Sequence, residues 1–125
     1  MIGKPLLALV LLSGAALVHA LEVKPYSAAS LAAAQQANQP IALHFRADWC
    51  PTCRAQDAAI QSLKPEKGLD LTVLAVNYDT EKALKRQFRV QAQSTIIVLR
   101  GKQERARLVG ETSAAGIRQA LQTAF

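Results

Sequence analysis

The chain has 125 residues, 50% of them hydrophobic, which is enough for a single packed core. Its 15 Lys and Arg against 9 Asp and Glu leave a formal net charge of +6 at pH 7. The cations are scattered and aromatics make up only 5% of the residues, so no stacking platform accompanies the charge and no nucleic-acid partner is expected.

The opening "MIGKPLLALVLLSGAALVHA" sets one early cation, Lys4, before an apolar run over 5–12 and closes on Val18 and Ala20. That layout is expected of a secretory signal peptide over 1–20, cut after Ala20, with a single domain over 21–125. The apolar run is short for the roughly 20 residues of a membrane span, so an uncut anchor is the second reading. Export places the domain where disulfides persist.

A short extended piece over Leu21–Tyr26 comes next, and Ser27 is a natural N-cap for an Ala-rich helix over 28–39, stopped before Pro40. "IALHFRA", Ile41–Ala47, is an apolar run of strand length. It leads straight into "DWCPTC", where Pro51 suits the first turn of a helix that continues to Lys64. "LTVLAVNY", Leu71–Tyr78, reads as a strand buried on both faces. Asp79 or Thr80 is the expected cap for a short basic helix over 81–88, "STIIVLR" is another buried strand, and Gly101–Gln103 is a turn. In "ERARLVG" the residues Ala106 and Leu108 alternate with charges, as a half-exposed strand requires, and Thr112 or Ser113 caps a last helix over 114–125. The order of elements implies an α/β fold with a mixed central β-sheet and helices on both faces.

The chain's two cysteines, Cys50 and Cys53, stand three positions apart. As a staple they close so small a loop that the chain-entropy model gives only about 2 kcal/mol. As a metal site they fall short of the four ligands of closed zinc, since His44 is the one histidine left after the cut, although a bridged dimer or a two-coordinate cuprous site stays open. Redox chemistry fits the setting better. A cysteine at a helix start faces unpaired N–H groups and the positive end of the helix dipole, which favours the thiolate. Arg46 and Arg54 are candidates to stabilise that thiolate, with Asp48 opposing them, and Cys53 lies one turn inward.

With strand, WCxxC and helix in place, the chain resembles the thioredoxin superfamily from "ADWCPTC" through "VNYDTEKALKRQFRVQAQSTIIVLRGKQERARLVG". The resemblance implies a thioredoxin fold and a thiol–disulfide oxidoreductase. It makes Cys50 the attacking thiol, Cys53 the resolving thiol and Trp49 the flanking aromatic of the substrate groove. The inner pair Pro51-Thr52 is similar to periplasmic thioredoxins of cytochrome c maturation rather than to the Gly-Pro of general thioredoxins. This implies a periplasmic, monomeric reductant of protein disulfides, with no cofactor or metal beyond the Cys50–Cys53 pair and a membrane thiol-electron transporter as its electron source. A metal-handling or iron–sulfur protein using the same two cysteines is the alternative.

The chain departs from the family pattern at two places. His44 occupies the position of a buried acid, and its ring, expected to be neutral, is a candidate to take the Cys53 proton. Ser94 stands where the family has a cis-proline, between Gln93 and Thr95, with which it is expected to line the groove. The Gln93–Ser94 bond is expected to be trans, and the Ser94 hydroxyl can donate a hydrogen bond to the Cys50 thiolate, which proline could not. The cations Lys82, Lys85, Arg86 and Arg89 read as a solvated helix face.

Overall fold

A computed structural model describes residues 2–5 and 20–125. The expected signal peptide lies outside them but for 2–5 and Ala20. Five strands and four helices occur in the order β1 (Glu22–Pro25), α1 (Ala28–Gln36), β2 (Pro40–Arg46), α2 (Pro51–Leu63), β3 (Thr72–Asn77), α3 (Lys82–Gln87), β4 (Thr95–Arg100), β5 (Gln103–Val109) and α4 (Ala114–Gln122). The sheet order is β1-β3-β2-β4-β5. Strands β1, β3 and β2 run parallel, while β4 is antiparallel to β2 and β5 to β4. This is the mixed sheet that the thioredoxin resemblance implies.

Successive residues of a strand point to opposite faces, so each central strand feeds two cores. Ala42, Val73, Ile96 and Val98 face one side and pack with Ile60 and Leu63 of α2 and Ile117 and Leu121 of α4. Leu43, Phe45, Leu74, Val76, Ile97 and Leu99 face the other and pack with Leu31 of α1 and Leu84 of α3. Each Val, Leu, Ile or Phe among them contributes roughly 1.5–3 kcal/mol by leaving water, which is why these strands are apolar at nearly every position. Strand β5 lies at an edge, and its expected alternation holds: Ala106 and Leu108 lean on the α2–α4 core while their neighbours face solvent.

The boundaries differ from the sequence expectation at three helices. Helix α1 ends at Gln36 instead of running to residue 39, because Asn38 adopts a left-handed φ of 51° and Gln39 N–H turns back to the Ala34 carbonyl. Helix α3 is capped by neither Asp79 nor Thr80. Asn77 Oδ1 accepts both their N–H groups in a turn, so the helix starts at Lys82 after Glu81, which makes no side-chain cap bond. Helix α4 begins as expected, with Ser113 accepting from Gly116 N–H, but stops at Gln122.

The β4–β5 turn rests on Gly101, whose φ is 58° and whose N–H donates to the Gln39 carbonyl. A Cβ there would come within 2.5 Å of Asn38 Oδ1, whereas one on Gly68, also at positive φ, would meet nothing within 4 Å. Gly68→Ala should therefore lose roughly 1 kcal/mol from backbone strain alone. Gly101→Ala should lose on the order of 2–3 kcal/mol, because Asn38 must also move. Urea unfolding of the two variants measures the difference.

Candidate active site

Strand β2 ends at Arg46, and beyond a short turn Cys50 becomes the N-cap of α2, with Pro51 in the first turn. The Cys50 backbone is extended, with φ −95° and ψ 109°, and its Sγ accepts the Cys53 N–H at 3.2 Å. A sulfur thus occupies the place where a capping oxygen normally satisfies the helix's first free amides. Cys50 and Cys53 form a disulfide with Cα atoms 5.3 Å apart. Cys53 is fully buried and Cys50 keeps only a small exposed edge, so an incoming molecule reaches Cys50 first.

Trp49, next to Cys50, is a large apolar side chain left exposed, at 59%. Its indole N–H donates to Asp79 Oδ2 at 2.8 Å, which holds the ring over a cavity of about 320 Å³ lined by Arg46, Asp48, Asn77 and Asp79 among others. Asp79, expected as a helix cap, thus serves the active-site aromatic instead. Arg54 is exposed on the first turn of α2, and among the described residues its guanidinium makes no hydrogen bond or ion pair.

Opposite the cysteines lies the loop before β4. The Gln93–Ser94 bond is trans, and Ser94 sits at φ 63°, buried, with its Oγ 3.2 Å from Cys50 Sγ and 3.1 Å from Cys53 Sγ. The Ser94 hydroxyl, expected against Cys50, thus meets both sulfurs. Gln93 precedes it, partly exposed. Thr95 is buried, and its hydroxyl donates to the Ala92 carbonyl at 2.7 Å, so it shapes the loop from within. Val109, exposed, pairs with Thr95 and lines with it, Arg89 and Val90 a separate cavity on the α3 side of the sheet.

His44 is buried on the α2 face of β2. Gln56 identifies its tautomer: the Gln56 amide nitrogen donates to the carbonyls of Ser94 and Glu111, both at 2.9 Å, so its Oε1 faces His44 Nε2 at 2.8 Å and the ring must donate there. Nδ1 lies 3.5 Å from Asp57 Oδ1. Burial pushes the His44 pKa below its ordinary 6.5, against the Gln56 hydrogen bond and the Asp57 charge, which favour the imidazolium. Burial prevails because Asp57 is already paired: Arg46 Nε and Nη2 both bond its carboxylate, and Nη1 bonds Asp48 at 2.9 Å.

These contacts revise two expectations. The Arg46 guanidinium is committed to two carboxylates and faces no sulfur, and those carboxylates, with the Asp48 hydrogen bond foremost, raise its pKa. The His44 nitrogens are engaged by Gln56 and Asp57, whereas the Cys53 sulfur meets the Ser94 hydroxyl. Among the described residues, no three His, Cys, Asp or Glu side chains converge as metal ligands. The residues that sequence reasoning missed, Gln56 and Asp57, come three and four positions after Cys53. That spacing puts them on its helix face and was a usable signal. Asp79 and Glu111 carried no such signal.

A histidine held neutral by burial makes the unfolded state bind more protons, so stability is lost as pH falls through the unfolded pKa of about 6.5. The melting temperature should fall between pH 6.5 and about pH 5, above the range in which ordinary carboxylates titrate. His44→Gln should flatten that slope. Thermal melts of both proteins across the window check this.

The Thioredoxin family profile matches residues 23–123. The chain is 30% identical to Mycobacterium tuberculosis thioredoxin over 80 residues, 64% of this chain and 69% of that protein. A solved structure of Trxlp from Edwardsiella tarda is 41% identical, covers 81% of this chain and 97% of its own, and superposes with a TM-score of 0.73. Thioredoxin O2 of Arabidopsis thaliana in its oxidized state shares the fold at 22% identity and a TM-score of 0.67, covering 83% of this chain and 93% of its own. A cysteine pair at the start of a helix beside a five-stranded mixed sheet, matched over nearly the whole domain, makes the chain a member of the thioredoxin family, a thiol–disulfide oxidoreductase whose redox group is its own Cys50–Cys53 pair.

Proposed function

We propose that the protein acts in the bacterial periplasm, as a monomer, as a reductant of protein disulfides, and that a membrane thiol-electron transporter renews its dithiol. The observation that carries the exchange chemistry is the cysteine geometry: Cys50 caps α2 with a hydrogen bond from Cys53 N–H, and Cys53 lies buried behind it. The secretory layout of the first 20 residues supports export. The Pro51-Thr52 pair and the likeness to thioredoxins support the reducing direction.

In the forward reaction the Cys50 thiolate attacks one sulfur of a substrate disulfide. A bond forms between Cys50 Sγ and that sulfur, the substrate S–S bond breaks, and the other substrate sulfur leaves as a thiolate and takes a proton. Cys53, having lost its proton, then attacks Cys50 Sγ and expels the first substrate sulfur as a second thiolate. Two electrons have passed to the substrate, and the Cys50–Cys53 disulfide has formed. Trp49 offers exposed apolar surface next to Cys50, where the chain around a substrate cysteine can lie.

Two measurements test this reading. Cys50→Ser should abolish insulin reduction, whereas Cys53→Ser should accumulate a mixed disulfide with substrate, visible on a non-reducing gel; trapping by the Cys50 variant instead would reverse the two roles. A couple with a reduction potential near the roughly −270 mV of thioredoxin marks a reductant, and one near about −120 mV marks an oxidant and refutes the direction. The mature protein should be recovered from the periplasm with Leu21 as its first residue.

A further inference from the structure

Three hydrogen bonds lock the backbone of Ser94. Its N–H donates to the Phe45 carbonyl at 2.9 Å, and its own carbonyl accepts from Gly110 N–H at 3.0 Å and from Gln56 Nε2 at 2.9 Å. Gln56 is fully buried, and its amide is satisfied by Ser94, Glu111 and His44 together. An apolar side chain would fill the same space, whereas a buried amide carries a desolvation penalty that only its hydrogen bonds offset. Those bonds run from helix α2, which carries both cysteines, to the loop that carries Ser94 and to the segment after β5. Gln56 therefore ties the two sides of the redox site together.

The Ser94 hydroxyl is almost equidistant from the two sulfurs. It has one proton to give and lone pairs to accept with. Against the disulfide, whose sulfurs are weak acceptors, the hydrogen bond contributes little. Against a thiolate it is charge-assisted and much stronger.

We propose that Gln56 is a positioning residue for the redox pair: it holds the Ser94 loop so that one hydroxyl serves both sulfurs of the reduced protein, donating to the Cys50 thiolate and accepting from the Cys53 S–H. The hydroxyl then favours the dithiol over the disulfide. Reduction by glutathione states the balance. Two glutathione thiols give up two electrons and join as a disulfide, the Cys50–Cys53 bond breaks, one released proton goes to Cys53 and the other to solvent while Cys50 remains a thiolate. The proposal rests on the thiol–disulfide reading but not on the direction of electron flow.

The test uses the full chain and three variants, equilibrated with glutathione buffers and titrated by thiolate absorbance against pH. Ser94→Gly removes the hydroxyl while glycine accepts the positive φ without strain. It should shift the equilibrium about tenfold toward the disulfide, the size of a hydrogen bond to a charged group, and move the thiolate titration upward. Gln56→Met keeps the volume but loses the amide, and should move both readouts the same way by less. The double variant should go no further than Ser94→Gly alone, because Gln56 acts through the hydroxyl. An unchanged equilibrium in Ser94→Gly overturns the proposal whatever the Gln56 variant does, and full additivity in the double variant overturns the role of Gln56. Glutathione stands in for a protein substrate, so a potential in the oxidant range or a lack of insulin turnover would refute the reductant reading and leave this one standing.

Discussion

Strand β2 is hydrogen-bonded on both edges, to β3 and to β4, and its residues Ala42 to Phe45 are buried on both faces. A strand held from four sides cannot shift or twist, and everything functional hangs from its carboxyl end. A short turn past Arg46, Cys50 caps α2, and Ser94 enters the site through its hydrogen bond to Phe45 on the same strand. The Cys50–Cys53 pair and the loop facing it are thus referred to one rigid element. That suits chemistry in which sulfur-to-sulfur approach must be controlled to a fraction of an ångström.

The electrostatics of the site come from short-range hydrogen bonds more than from net charge. The chain is basic overall, yet Arg46, at the end of the strand leading to the sulfurs, is held by Asp57 and Asp48 and presents no free charge to them. Cys50 instead meets the Cys53 N–H at a helix start and the Ser94 hydroxyl. Both favour a thiolate, and a stabilised thiolate favours the reduced form over the disulfide. Pro51 works the other way by removing one amide that would have pointed at the sulfur.

The two departures from the family pattern are joined by one side chain. His44 replaces an acid and Ser94 replaces a proline, and Gln56 bonds to both. A neutral, donating imidazole needs an acceptor in the core, and a serine loop without proline's rigidity needs an anchor. A single buried amide supplies both, with no polar side-chain atom left unpaired among the buried described residues. One side chain thus serves both residues.

The central strands, the starts of α1, α2 and α4 and the cysteine motif were legible in the sequence because they rest on local rules. Apolar runs must be buried, Ser27 and Ser113 cap the helices that begin just after them, and Cys50-Pro51 opens a helix after a strand. The same local logic failed at Asn38 and Asn77, whose side chains or left-handed backbone closed turns that propensity alone does not distinguish from continued helix or a cap at the next acid. Strand order, which pairs Pro40 with Arg100, rests on distant residues, and the commitment of Arg46 to Asp57, the grip of Asp79 on Trp49 and the link from Gln56 to Ser94 join residues 11 to 38 positions apart. No local pattern encodes such a pair, since which polar side chains meet is decided only when the sheet and the helices above it have packed.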